Sequence, residues 1–145
     1  MLRAHKFVLD ARSKNWNNHN LSILSELDLS DIPHPIAYRL IKWVYTDTVV
    51  DLHQSDEDFY LAMMKQADRF HLKELKLKCE DGLLAFVNVR NCIKFYEVAD
   101  QISALTLKTH CNELISAHWD DFTSDDFAHM PAALLFQACI FILLN

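Results

Sequence analysis

The chain has 145 residues, of which 51% are hydrophobic and 11% aromatic, and its formal net charge is −6 at neutral pH. This composition can build a sizeable core and argues against disorder, and the length fits one domain or a small domain with an appended subdomain. The single glycine, Gly82, excludes the glycine-rich phosphate loops of nucleotide-binding proteins, which need several residues without a Cβ. The negative charge, with no basic stripe, argues against nucleic acid as a partner.

The cysteines predict a reducing compartment. They lie singly in apolar surroundings without a CxxC pattern, as small core residues do: Cys79, Cys92, Cys111 and Cys139. Residues 1–15 are charged throughout and do not resemble a signal peptide. The apolar run 134–144 is too short to cross a bilayer. We expect a cytosolic or nuclear protein, with cytoplasmic localisation and no direct membrane insertion.

The N-terminal 54 residues predict a mixture of helix and strand. Residues 4–11 indicate a mixed strand-to-helix entry, and leucines that alternate with acids indicate a half-buried strand at 25–30. Pro35 suits the first turn of a helix, and the β-branched run 46–50 indicates a second short strand. The helix between them has one apolar face, formed by Ile36, Ala37, Leu40, Ile41 and Val44.

Residues 55–145 predict consecutive helices. A capping box of Ser55 with Asp58 marks the first start, and a short break near His71 precedes the second. The later helices are predicted to begin at an asparagine, a serine and a proline: Asn88, Ser103 and Pro131. Short links favour antiparallel helical pairs. The predicted fold class is therefore α+β and predominantly helical.

Cys111 and His118 are the candidates for a metal site or a nucleophile. They lie seven residues apart on one predicted helix face, so their side chains point the same way. Their separation along the helix axis is about 10 Å, which is too far for one zinc ion or one Cys–His pair. The better interpretation is a core cysteine and a helix-end histidine that the macrodipole favours.

Four acids near residue 122 raise the hypothesis of a calcium site: Asp120, Asp121, Asp125 and Asp126. An EF-hand loop needs alternating acids, a central glycine and a closing glutamate, and here Phe122 interrupts a run that has no glycine. Helix-capping acids are the better interpretation. We therefore predict no catalytic, cofactor-binding or metal-binding residue, and no enzyme.

Four motifs, in order along the chain, resemble the BTB/POZ domain family. They are "AHKFVLDARS" (4–13), "LDL" (27–29), "RLIKWVYTD" (39–47) and "ADRFHLKELKLKCED" (67–81). The resemblance implies a BTB/POZ-like domain over residues 1–87. The stretch that begins with "NVRNCIKFYEVAD" resembles the BACK-type helical extension that often follows such a domain, which implies helical hairpins over 88–145.

The segments "HKFVL-x-ARS", "VNVRNCIKFY" and "SAHWDDF" are similar to those of rabankyrin-type endosomal proteins. Those proteins join a BTB domain to ankyrin repeats and a FYVE finger, so the resemblance implies a scaffold role with endosomal association. The family's first β-hairpin lies upstream of "AHK", and ankyrin repeats follow downstream. We therefore expect a chain truncated at both ends and a domain that lacks its first β-hairpin.

The resemblance implies protein–protein interaction, with homodimerisation and adaptor function, and no cofactor. Lys6 matches the basic residue of the family's dimer groove, and the outer helix face of Tyr38, Arg39 and Lys42 is expected to meet partners. The alternative function is a substrate adaptor for a cullin-type ubiquitin ligase. Such adaptors carry a glutamate in this helix, and here Arg39 stands where an acid is expected, which disfavours that partner.

Overall fold

The structure is a computed structural model that describes residues 3–16, 27–48 and 56–145. Its α-helices are α1 (Lys6–Arg12), α2 (His34–Thr46), α3 (Glu57–Arg69), α4 (Lys73–Leu84), α5 (Cys92–Gln101), α6 (Leu105–Ala117) and α7 (Ala132–Leu144). Two short 3-10 helices, Trp119–Asp121 and Ser124–Phe127, lie between α6 and α7. The chain divides into two compact units, Met1–Gly82 and Leu83–Asn145.

The predominantly helical architecture is confirmed, but the strand predicted at 25–30 is wrong where the structure describes it. Leu27–Leu29 have no regular secondary structure, and only Trp16 forms an isolated β-bridge among the described residues. The Asp28 side chain accepts a hydrogen bond from the Ser30 amide at 2.9 Å, which forms a local turn in place of a strand. Residues 25 and 26 lie outside the described part.

The second predicted strand, at 46–50, is also wrong at its start. Thr46 belongs to the last turn of α2, where its hydroxyl donates to the Lys42 carbonyl at 2.9 Å. Asp47 follows in the left-handed region, with φ 54°, and ends the helix. Residues 49 and 50 lie outside the described part of the chain.

The core of the first unit forms where α2 meets α3. The predicted apolar face of α2 is confirmed by the full burial of Leu40 and Val44, and Met63 and Met64 of α3 are core residues as predicted. Trp43, off the main stripe, is also buried. These side chains fix the position of α2, whose other face is the candidate partner surface.

Of the three predicted helix caps at Ser55, Asn88 and Ser103, the last two are wrong. α3 begins after Asp56, whose carboxylate accepts from the Phe59 amide at 2.9 Å, and Ser55 lies outside the described residues. Asn88 forms a turn instead of a cap, since its side chain accepts from the Arg90 amide and α5 begins four residues later. Ser103 has φ 54° and α6 begins after Ala104, because a left-handed residue reverses the chain after α5 without capping the next helix.

The second unit is built on α5 packed against α6, with α6 also packed against α7. Side chains that face inward from α5 and α6 are fully buried: Cys92, Phe95, Tyr96, Ala99, Leu107, Cys111 and Ile115. The predicted boundary between a BTB/POZ-like domain (1–87) and a BACK-like extension (88–145) stays a prediction.

Gly82 packs so closely against Tyr60 that a side chain does not fit. A Cβ at this position would lie 2.3 Å from Cε1 of the buried Tyr60 ring. We expect Gly82→Ala to lower the free energy of unfolding by about 1–3 kcal/mol through overpacking, despite the better helix propensity of alanine. Urea denaturation measures the change.

A double-mutant cycle assigns that loss to the ring. In a Tyr60→Leu background the aromatic atoms that meet the new Cβ are gone, so Gly82→Ala should be neutral or stabilising there. An equal loss in both backgrounds would contradict the overpacking explanation.

Candidate protein-interaction surface

Arg12 joins α1 to the C-terminal end of α2. Its Nε donates to the Val44 carbonyl at 2.8 Å, and its terminal nitrogen pairs with the Asp47 carboxylate at 2.8 Å. The guanidinium also lies over the Trp43 ring, 5.8 Å from its centroid. The last carbonyls of a helix have no partner within the helix, so this side chain supplies one and holds α1 in place.

Asp47 has two roles at the same junction. Its backbone is left-handed, which an L-residue other than glycine adopts only at a cost, and its carboxylate binds Arg12. The Asp47 carbonyl accepts from the Lys78 ammonium at 2.8 Å. The turn that resembles Tyr-Thr-Gly in the family therefore uses the aspartate side chain for an ion pair that glycine cannot make.

Three rings form an exposed cluster beside this junction, which we call the aromatic patch: His5, Phe7 and Tyr45. The His5 ring centroid lies 5.8 Å from that of Phe7 and 6.0 Å from that of Tyr45. The Tyr45 hydroxyl accepts from the His5 amide at 2.5 Å and lies 3.0 Å from His5 Nδ1. Phe7 is 74% exposed, so a large apolar side chain stands in solvent on an ordered support.

The structure separates the four predicted partner-facing residues into two places. Lys6 is exposed on α1, next in the chain to both His5 and Phe7 of the aromatic patch. Tyr38 and Lys42 lie one turn apart on the outer face of α2, with Tyr38 48% exposed. Arg39 is half-buried, with its guanidinium 5.7 Å from the centroid of the Phe59 ring.

Sequence reasoning missed Phe7 and Tyr45. A signal for Phe7 was present, because it lies two positions from Leu9 and therefore falls on the opposite face of a helix from that buried residue. Tyr45 lies seven residues after Tyr38, two helical turns along the same face. The exposed side of α2 thus continues from Tyr38 to the aromatic patch.

The second unit carries an open cleft of about 420 Å³ along one face of α5. It is lined by basic, acidic and apolar side chains: Val89, Arg90, Ile93, Lys94, Glu97, Asp121, Phe122, Asp126 and His129. Asp126 accepts from the Thr123 amide at 2.7 Å and from its hydroxyl at 2.9 Å, and these hydrogen bonds lower the pKa of the Asp126 carboxyl. The acid serves as a cap, as predicted for this segment.

The candidate reactive residues have structural roles. Burial raises the pKa of the Cys111 thiol to about 12, so it stays protonated and unreactive at neutral pH. His118 ends α6, and its Nδ1 lies 3.0 Å from the Asp121 carboxylate. Across residues 3–16, 27–48 and 56–145, no three acidic, histidine or cysteine side chains are grouped to hold a metal ion.

Comparison with known protein families matches the BTB/POZ domain over residues 1–86. That match covers more than half of the sequence, and the chain therefore belongs to the BTB/POZ domain family, whose members are protein–protein interaction modules. Human Rabankyrin-5 is 45% identical over 136 residues, and mouse Rabankyrin-5 is 43% identical over the same length. The predicted resemblance to rabankyrin-type proteins is confirmed.

These matches cover 94% of this chain and 12% of each Rabankyrin-5 protein, so the chain spans a small part of its relatives' length. A more distant relative is Protein maternal effect lethal 26 of Caenorhabditis elegans, 27% identical over 114 residues, which are 74% of this chain and 28% of that protein. No described helix is both long enough and apolar enough to span a membrane.

Substitutions at Asp47 test its double role. Asp47→Ala removes the partly exposed ion pair and keeps the cost of a left-handed Cβ, so we expect a loss of up to about 1 kcal/mol in the free energy of unfolding. Asp47→Gly removes the ion pair but also the Cβ cost, and it should unfold at a higher urea concentration than the alanine variant. The opposite order of the two midpoints would contradict this account.

Proposed function

We propose that this chain is the self-associating interaction module of an endosomal-trafficking scaffold, and that copies meet through the α1 face that carries Lys6 and Phe7. The observation that carries the proposal is the 74% exposure of Phe7 in the aromatic patch. A lone exposed apolar residue is ordinary, but Phe7 contacts the His5 ring, which in turn contacts the Tyr45 ring. The three adjacent rings form a contiguous surface, which is typical of an interaction site.

The energetics support a contact at this patch. Burial of a phenylalanine side chain contributes about 1.5–3 kcal/mol, and a two-fold contact would bury one from each copy. The hydrogen bonds between His5 and Tyr45 order the patch before binding, which reduces the entropy lost on association. Lys6 lies beside Phe7, where its charge can form the polar rim of such a contact.

The endosomal part of the proposal rests on the similarity to Rabankyrin-5 over 94% of this chain. We likewise infer that residues 88–145 are a BACK-like extension, which is supported by the packing of α5, α6 and α7 in sequence. Tyr38, Arg39 and Lys42 are proposed as a second partner-facing surface, on the outer side of α2.

The test is a charge placed at the exposed Phe7 of the patch. Phe7→Glu would bring two carboxylates into the contact, so we expect at least about tenfold weaker self-association in sedimentation velocity. The matched control is Leu77→Glu, because Leu77 is 56% exposed on α4 and lies outside the patch. Equal behaviour of both variants and the unmodified chain would overturn this dimer surface.

The ligase-adaptor alternative predicts binding of a cullin N-terminal domain to α2. We expect no capture in a pull-down, because Arg39 holds a positive charge over Phe59 where an acid is expected. Arg39→Glu is the informative variant, since it supplies the acid that cullin-binding adaptors carry in this helix. Capture by the unmodified chain would favour the adaptor function over our proposal.

A further inference from the structure

α7 presents a continuous apolar stripe to solvent. The helix has 13 residues and none of them is charged. Its exposed side includes Phe136, Ile140, Leu143 and Leu144, which are 65%, 38%, 83% and 79% exposed. With Ala133, also exposed, the positions follow a 3–4 spacing, which is the spacing of a helix–helix seam.

The opposite side of α7 is already occupied. Leu134 and Ala138 are buried, and α7 packs against α6 within the second unit. The Gln137 amide accepts from the Lys108 ammonium of α6 at 2.9 Å, which fixes one edge of the stripe. The outer stripe is therefore a second apolar face, held in a defined orientation by the first.

The size of the stripe can be compared with what an interface needs. A fully exposed Phe, Leu or Ile side chain offers roughly 150–200 Å², so the four exposed residues offer on the order of 500 Å². Two copies would bury about 1,000 Å² from these side chains, which is the lower limit of a specific interface. The exposed area thus suffices for a weak dimer.

We propose that α7 pairs antiparallel with α7 of a second copy, with Ile140 on the two-fold axis. In this register Phe136 of one copy lies opposite Leu144 of the other, so the largest ring meets a leucine on each side of the axis. A helix without charge can pair with itself without like-charge repulsion, and the antiparallel arrangement opposes the two helix dipoles. The α7 stripe shares no residue with the aromatic patch of α1.

The first test compares equivalent charges at two exposed leucines of the full 145-residue chain, in the Phe7→Glu background where the α1 contact is already weakened. There Leu143→Glu should weaken the remaining self-association at least about tenfold in sedimentation velocity, and Leu77→Glu should leave it unchanged. If the Phe7→Glu variant still self-associates and the double variant Phe7→Glu, Leu143→Glu does not, α7 pairs independently of the α1 contact. If Leu143→Glu changes nothing in either background, α7 does not pair with itself.

Each surface can fail separately in this design. If the Phe7→Glu variant loses self-association and the Leu143→Glu variant keeps it in full, the α1 contact is supported and the α7 pair is overturned. The reverse result supports the α7 pair and overturns the α1 contact. Two active surfaces on one chain predict species larger than a dimer for the unmodified protein and dimers for each single variant.

The second test is specific for a two-fold axis at Ile140. In a Cys139→Ser background, Ile140→Cys should form a disulfide-linked dimer under mild oxidation, because only a residue on the axis meets its own copy. Leu143→Cys in the same background should cross-link far less, since its counterpart lies about two turns away. Equal yields from the two variants, or none from Ile140→Cys, would overturn the antiparallel pair.

Discussion

The interaction on which the first unit depends is the binding of Arg12 to the end of α2. The Nε hydrogen bond to the Val44 carbonyl, the ion pair with Asp47 and the stacking over Trp43 all use one side chain. A planar guanidinium can do this because its donors point in fixed directions while its face stays free for the ring. Lysine offers a single point charge and would keep only the ion pair.

The position of α1 follows from this contact. α1 has seven residues and buries only Leu9, so its own helix propensity and apolar contacts are too small to hold it. Arg12 fixes its C-terminal end, and the contact of His5 with Tyr45 fixes the segment before its first turn. Phe7 lies between these two attachments, which is why it is ordered although it is exposed. The proposed interaction surface thus depends on the hydrogen bond and ion pair that Arg12 makes with the C-terminal end of α2.

Most of the helical fold is predictable from the sequence, and the wrong predictions of secondary structure have identifiable causes. The spacing of apolar residues located α2 through α7, because burial at a period of 3.6 is a property of each helix alone. The strand at 25–30 and the cap at Ser103 failed because Asp28 and Ser103 form local turns that the apolar pattern does not reveal. Phe7 and Tyr45 were missed because their exposure depends on where α1 docks, which a single-helix pattern does not specify.

The exposed apolar side chains differ in whether they stand alone or in groups, and only the groups indicate an interaction surface. Leu77 is exposed alone on α4, and a single apolar residue in solvent is normal for a folded chain. The rings beside α1 and the stripe along α7 are different, because in each place several large side chains are adjacent. The rings contact one another, and α7 is held by the hydrogen bond from Lys108 to Gln137. Such surfaces lower solubility unless another surface covers them. Because both lie on elements attached by polar contacts at one edge, Arg12 for α1 and Lys108 for α7, their orientation survives in the unbound chain and association needs little reordering.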